Sequence, residues 1–202
     1  MISRWSNRVQ SGFMPKRVIM IHGWEGYPEE GWRPWLRKEL EPRGFTVSIP
    51  AMPETQLPQM EKWVAYLSET IGIPDEQTYL VGHSLGAITI LRYLETLKNK
   101  QMAGGAIFIS GFSYDLEYAG YNHELASFFK TPVDWKKIKL HCPKFTVIHS
   151  TDDKWVPIKH AMLLTEKLHA KKIIQTGMKH YSGDDGIFEL PIVLNELLAM
   201  SK

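Results

Sequence analysis

This sequence is poor in cysteine, in long apolar runs and in excess charge of either sign. A single cysteine, Cys142, among 202 residues excludes an internal disulfide framework and any C-x-x-C motif, and we expect it to be a small buried hydrophobe leading into a strand. No apolar run approaches the roughly 18 residues of a membrane helix. The net charge is +2, without the dense basic stripe that favours nucleic-acid binding. These absences favour a cytoplasmic protein with neither a membrane span nor a nucleic-acid partner.

Residues 1–14 lack the apolar core of a secretory signal and contain no acidic residue. We predict a flexible leader there; a short organellar transit peptide, which the serine and arginine content also fits, stays an alternative. The chain is 44% hydrophobic, which suffices for one sizeable core. We therefore predict a single domain over residues 15–202.

Short apolar runs alternate with segments of helical spacing along this domain. The predicted strands are 18–21, 45–49, 79–81, 106–109, 145–148 and 172–175, and the predicted helices are 32–40, 60–71, 85–97, 161–168 and 187–200. This alternation predicts an α/β fold, a three-layer α/β/α arrangement around a six-stranded parallel sheet. Residues 111–143 are aromatic and irregular, and we predict that they form a small cover segment over a site, with one or two short helices.

The pentapeptide G-H-S-L-G separates one predicted strand from the following helix. Gly-x-Ser-x-Gly in this context is typical of a nucleophile elbow, a sharp and strained turn that lifts a serine hydroxyl above the sheet. Side chains at Gly82 and Gly86 would collide with the turn, and Ser84 would lie at a helix N-terminus, where negative charge is favoured. The alternative is an ordinary turn with Ser84 as helix N-cap.

A nucleophilic serine also needs a general base, a group that orients the base, and oxyanion donors. "HSTDDKWVP" follows the fifth predicted strand and offers Asp152 or Asp153, and "TGMKHYSGDDG" follows the sixth and offers His180. The chain order serine, aspartate, histidine is that of the α/β-hydrolases. The alternatives are aspartates that only shape a turn and a histidine that is only solvated.

"IHGW" ends the first predicted strand and offers the oxyanion donors. We expect the backbone N–H groups of Trp24 and Leu85 to form the oxyanion hole. We expect His22 and Trp155 to line the substrate pocket.

With these motifs the chain resembles the α/β-hydrolases, and more narrowly the small serine hydrolases of the retinoblastoma-binding protein 9 type. The resemblance runs from about residue 17 to the end and includes "GWRPWLRKEL", "GHSLGA", "DWKKIK", "STDDKWVP" and the late histidine. It implies strand order 2-1-3-4-5-6 without a full lid domain, and it carries the nucleophile onto Ser84 and the base onto His180. It carries the acid onto Asp153, because D-x-x-V-P is the recurrent form in such enzymes.

The expected function is hydrolysis of small or medium acyl esters, thioesters or amides through an acyl-enzyme, without a metal or a cofactor. The expected substrate is a small molecule, and a protein partner is left open. The alternative is a hydrolase-fold interaction module with weak or no catalysis. A metal site built from His22, His83 and His180 is a third option, which no H-E-x-x-H spacing supports.

Overall fold

A computed structural model describes residues 15–116 and 124–202. Its strands form one parallel sheet with the order β2-β1-β3-β4-β5-β6. This confirms the expected sheet and its strand order. The strands are β1 (Lys16–Ile21), β2 (Phe45–Ser48), β3 (Thr78–His83), β4 (Gly105–Ile109), β5 (Phe145–Ser150) and β6 (Lys171–Gln175).

Helices cover both faces of the sheet, as the sequence predicts. They are α1 (Arg33–Leu40), α2 (Met60–Ile71), α3 (Leu85–Thr96), α4 (Trp135–His141), α5 (Ile158–Leu168) and α6 (Pro191–Met200). Two helix starts were predicted wrongly. The last helix begins at Pro191 rather than at residue 187, because Leu190 has a non-helical backbone (φ −140°, ψ 72°) and the fixed φ of proline suits the first helical position. Similarly, α5 begins directly after Pro157 rather than at residue 161.

The central strands are buried on both faces, which explains their continuous apolar runs. In β1, Val18 and Met20 pack into one core with α1 and α6, while Ile19 and Ile21 pack into the other core with α2, α3 and α5. Successive side chains of a strand point to opposite faces. The two cores therefore hold β1 from both faces of the sheet.

The carboxyl ends of β1 and β3 meet at the point where the strand order reverses. The chain runs from β1 to β2 at one side and from β3 to β4 at the other, which opens the crevice in which such sheets bind ligands. His22 to Trp24 follow β1, and Ser84 follows β3. The loops that carry the predicted site thus leave adjacent strands.

The remaining predictions concern the single cysteine, the irregular segment, the first residues of the chain and the lack of a membrane-spanning helix. Cys142 is fully buried, and burial raises the pKa of its thiol to about 12. Within residues 111–143 the structure shows α4 and a short 3-10 helix, Ala126–Phe129. The predicted leader, residues 1–14, and residues 117–123 of the predicted cover segment lie outside the described residues. In the described part of the chain, no helix has the length and apolar character needed to cross a membrane.

Buried histidines are a further feature of the fold, and His160 in the first turn of α5 shows their effect. Its ring is fully buried and stacks on Tyr114, with ring centroids 4.1 Å apart. Burial, with the nearby Lys159, lowers the pKa of His160 from 6.5 to about 4. Between these pH values the unfolded chain binds a proton that the folded chain does not, so stability falls as the pH drops through this window.

His160→Phe keeps a stacked ring and removes this titration. We expect the free energy of unfolding of the variant to depend less steeply on pH between 6.5 and 4, by up to about 1.4 kcal/mol per pH unit. Urea unfolding at a series of pH values measures the slope. A slope equal to that of the unaltered protein would mean that His160 is protonated in the fold.

Candidate active site

Ser84 lies at the sharp turn between β3 and α3. Its backbone has φ 53° and ψ −117°, a conformation that residues with a side chain rarely adopt. Its N–H still pairs with the Ile109 carbonyl oxygen at 2.9 Å, so the strand continues to the turn itself. Ser84 occupies the N-cap position of α3, but its side chain makes no capping hydrogen bond. The hydroxyl therefore does not cap the helix, as it would in an ordinary turn with Ser84 as N-cap.

The two glycines of the motif allow this turn to exist. A Cβ atom on Gly86 would overlap the carbonyl oxygen of Ile21 in β1, and one on Gly82 would lie 2.7 Å from backbone atoms of Gly86 and Ala87. Helix α3 thus begins in direct backbone contact with both neighbouring strands. Side chains at Gly82 and Gly86 would therefore collide with neighbouring backbone, as expected from the sequence.

The loop after β1 lies against Ser84. A Cβ atom on Gly23 would lie 3.1 Å from the Cβ of Ser84. The next residue, Trp24, is held by its indole Nε1–H, which donates to the carbonyl oxygen of Gln56 at 3.0 Å. Gly23 of this loop therefore lies beside the serine on one side, and Leu85, the first residue of α3, directly follows the serine on the other. The first N–H groups of a helix have no partner within that helix.

His22 lies elsewhere than expected. It is fully buried and is not among the residues that line the cleft. Its Nε2 accepts the N–H of Met52 at 3.1 Å, and its Nδ1 lies 2.9 Å from the Gly23 carbonyl oxygen. Burial lowers the pKa of His22 to about 4, so the ring is neutral. The pocket prediction for His22 is wrong because its ring holds two loops together beneath the surface.

Asp153 and His180 form a hydrogen-bonded pair across the loops that follow β5 and β6. His180 Nδ1 lies 3.1 Å from Oδ1 and 3.0 Å from Oδ2 of Asp153. Oδ1 also accepts the backbone N–H groups of Trp155 and Val156 at 2.9 and 3.0 Å. Burial raises the pKa of Asp153, but the hydrogen bond and charge of His180 and the other donors outweigh it, so the pKa stays below the ordinary value. The carboxylate is ionised, buried and fixed in place.

Asp152, the alternative acid, does a different task. Its Oδ1 accepts the Ser150 hydroxyl and the N–H groups of Gly177 and Lys179, the last two at 2.9 and 3.3 Å. The hydrogen bond from Ser150 is the main reason that the pKa of this exposed carboxyl lies below its ordinary value. Asp152 therefore ties the end of β5 to the loop that carries His180 but does not contact the imidazole.

A cleft of about 680 Å³ lies beside Ser84 and His180. Ser84, His180 and Leu85 line it together with Trp24 and Trp155. Trp155 is 56% exposed at the rim. Phe112, Leu116 and Leu125, from the predicted cover segment, form an apolar part of the lining. The structure thus brings Ser84, His180 and both proposed oxyanion residues to one cleft.

Comparison with known proteins identifies the family. The model of the serine hydrolase family matches residues 18–199. The chain belongs to this family. It is 35% identical over 184 residues to YdeN of Bacillus subtilis, covering 91% of this chain and 95% of that protein. It is 30% identical over 187 residues to serine hydrolase RBBP9 of Rattus norvegicus, covering 91% and 96%. The crystal structure of YdeN aligns with a TM-score of 0.86 at 34% identity, covering 92% of this chain and 98% of that chain.

These matches confirm the resemblance to serine hydrolases of the retinoblastoma-binding protein 9 type. Sequence reasoning missed the contacts that three side chains make around the site of this serine hydrolase. The ring of His83 contacts the backbone carbonyl oxygen of His180, and the carboxylate of Asp185 accepts the backbone N–H of His180. His149 Nε2 lies 4.0 Å from Asp153 Oδ2. The only sequence signals were the place of His83 inside the motif and the place of Asp185 in the histidine loop. Neither distinguishes such a residue from an ordinary one.

The histidines considered for a metal site are occupied by other contacts. His22 bonds to Met52, His83 to the His180 backbone, and His180 to Asp153. Across residues 15–116 and 124–202, no three side chains of the metal-binding types come together as a ligand set.

Proposed function

We propose that this serine hydrolase cleaves small or medium acyl esters, thioesters or amides, with Ser84 as nucleophile, His180 as base and Asp153 as the acid that orients the base. The observation that carries the proposal is that His180, which lines the same cleft as Ser84, pairs with the buried carboxylate of Asp153. A hydroxyl without a capping bond, on a strained turn, supplies the third group.

The first step in this mechanism is acylation. The Nδ1 of His180 donates to the Asp153 carboxylate, which leaves Nε2 without a proton and able to accept one. As Ser84 Oγ forms a bond to the substrate carbonyl carbon, its proton passes to Nε2. When the tetrahedral intermediate collapses, the bond to the leaving group breaks and the imidazolium gives it this proton.

The second step is hydrolysis of the acyl-enzyme. Water loses a proton to His180 Nε2 and attacks the acyl carbon, and the proton returns to Ser84 Oγ as the acid product leaves. In both steps negative charge develops on the former carbonyl oxygen. We assign its stabilisation to the N–H groups of Leu85 and Trp24, and each such donor is worth roughly 10²–10³ in rate.

The cleft also has a charge that bears on the choice of substrate. Its described lining contains no lysine or arginine and five acidic residues, Glu25, Glu30, Asp115, Glu124 and Asp184. Glu30 pairs with the buried Arg33. A cleft lined by one sign of charge repels ligands of that sign. We therefore propose uncharged or cationic acyl substrates rather than anionic ones.

Ser84→Ala tests the nucleophile. We expect the variant to fold normally and to lose both p-nitrophenyl butyrate turnover and labelling by a fluorophosphonate probe, because the attacking oxygen is gone. Gel fluorescence and absorbance measure the two activities, and circular dichroism checks the fold. Labelling that persists in Ser84→Ala would remove the serine from this role.

A matched pair of variants tests the acid. Asp153→Asn should lower kcat by up to roughly 10⁴, because the amide no longer holds the productive tautomer of His180. Asp152→Asn should keep kcat within about tenfold, because its carboxylate bonds to the Ser150 hydroxyl and to loop N–H groups rather than to the imidazole of His180. Steady-state kinetics on purified proteins decide this. The reverse ranking would assign the acid to Asp152.

A set of p-nitrophenyl esters of equal chain length tests the charge of the cleft. We expect kcat/KM for the anionic hemiadipate to lie at least about tenfold below that for the neutral hexanoate at low salt, and the gap to narrow as salt screens the acidic lining. The cationic ε-aminohexanoate should be hydrolysed at least as well as the hexanoate. Spontaneous hydrolysis rates serve as the control, and equal values for all three esters would contradict the assignment.

A further inference from the structure

His180 lies in a strained stretch of backbone. Both of its neighbours, Lys179 and Tyr181, have left-handed φ values of 49° and 58° although neither is a glycine. Such a conformation persists only where surrounding contacts hold it. The loop that presents the imidazole therefore depends on bonds to its backbone, in addition to the bond between its ring and Asp153.

His83 makes one of these bonds. Its Nε2 lies 2.7 Å from the carbonyl oxygen of His180, and the two rings pack with centroids 4.9 Å apart. A carbonyl oxygen only accepts, so Nε2 carries the proton of His83. The ring is 4% exposed and is held in turn by an edge-to-face contact with Trp32, whose indole N–H donates to the Tyr181 carbonyl oxygen at 2.9 Å.

The other side of His180 is held as well. Its N–H donates to Asp185 Oδ2 at 2.9 Å, and the same oxygen accepts the Ser182 hydroxyl at 2.8 Å. The peptide groups before and after His180 are thus both fixed. Of these two bonds to the backbone of His180, the one from His83 comes from β3, the strand that Ser84 directly follows.

We propose that His83 is a positioning residue, whose Nε2–H bond to the His180 carbonyl oxygen sets the place of the imidazole relative to Ser84. His83 immediately precedes Ser84, so this bond joins the serine turn directly to the base loop, which is 97 residues later in the sequence. The proposal rests on the proposed function. A displacement of reacting groups by about 1 Å can cost roughly 10²-fold in rate, so losing this link should affect the chemical step rather than substrate binding.

Two substitutions at His83 and one matched control test this. His83→Leu removes the donor, while His83→Gln keeps an N–H near the position of Nε2. His141→Leu removes an equivalent bond elsewhere: His141 is 7% exposed, and its Nδ1 lies 2.7 Å from the Gln101 carbonyl oxygen, near the amino ends of the strands. The control therefore matches His83→Leu in residue type, burial and bond length.

We expect His83→Leu to lower kcat about 30- to 100-fold with KM within about twofold, and fluorophosphonate labelling of Ser84 to slow in proportion. His83→Gln should recover most of the loss. His141→Leu should lower the free energy of unfolding to a similar degree and leave kcat within about twofold. A His83→Leu enzyme as active as His141→Leu, or a glutamine variant no better than leucine, would overturn the proposal.

A measurement that needs no turnover separates this proposal from the proposed function. The Nδ1–H of His180, bonded to Asp153, should give one sharp proton NMR resonance in the unaltered protein and in His141→Leu. It should broaden or disappear in His83→Leu, because the ring no longer holds one position. An unchanged resonance overturns the positioning role even if Ser84 is the nucleophile, whereas turnover that survives Ser84→Ala refutes the proposed function alone.

Discussion

The close approach of helix α3 to strands β1 and β3 is the contact on which the rest of the site depends. Gly86 lies so near the Ile21 carbonyl oxygen that no side chain fits, and a Cβ atom on Gly82 would lie 2.7 Å from the backbone of the first turn of the helix. The chain can enter α3 at this distance only by turning sharply at Ser84, whose conformation costs about 1–3 kcal/mol. Packing of the buried α3 on the sheet offsets that cost. The core therefore holds the hydroxyl in place.

Parallel strand order explains how residues far apart in the chain reach this turn. All six strands end at the same edge of the sheet, so the loops after β1, β3, β5 and β6 converge there without long connections. Polar side chains hold these loops in turn, such as the buried His22 under the first loop and the exposed Asp152 beside the last. The rigidity of the site comes from these loop contacts as much as from the sheet.

The strands and the loops that directly follow them could be predicted from the sequence, because buried strands and glycine-bounded turns have strong local patterns. It did not suffice for contacts between loops. His22 follows a strand as a pocket residue would, yet its ring bonds to Met52, 30 residues later. Asp152 and Asp153 are adjacent and chemically identical, and only the direction of each carboxylate separates them. Such directions depend on loops meeting in three dimensions, which no local periodicity reports.

The charge balance around His180 follows from the same burial. In the proposed mechanism the imidazole becomes positive while the rings of His83 and His149 lie close by. Burial, followed by the charge of His180, holds the pKa of His83 well below its ordinary value, and burial also lowers the pKa of His149. Both rings therefore stay neutral, and Asp153 is the charged neighbour bonded to the imidazole. A cation formed on His180 then meets a carboxylate and no second cation from these rings, which favours the proton transfer that the nucleophile needs.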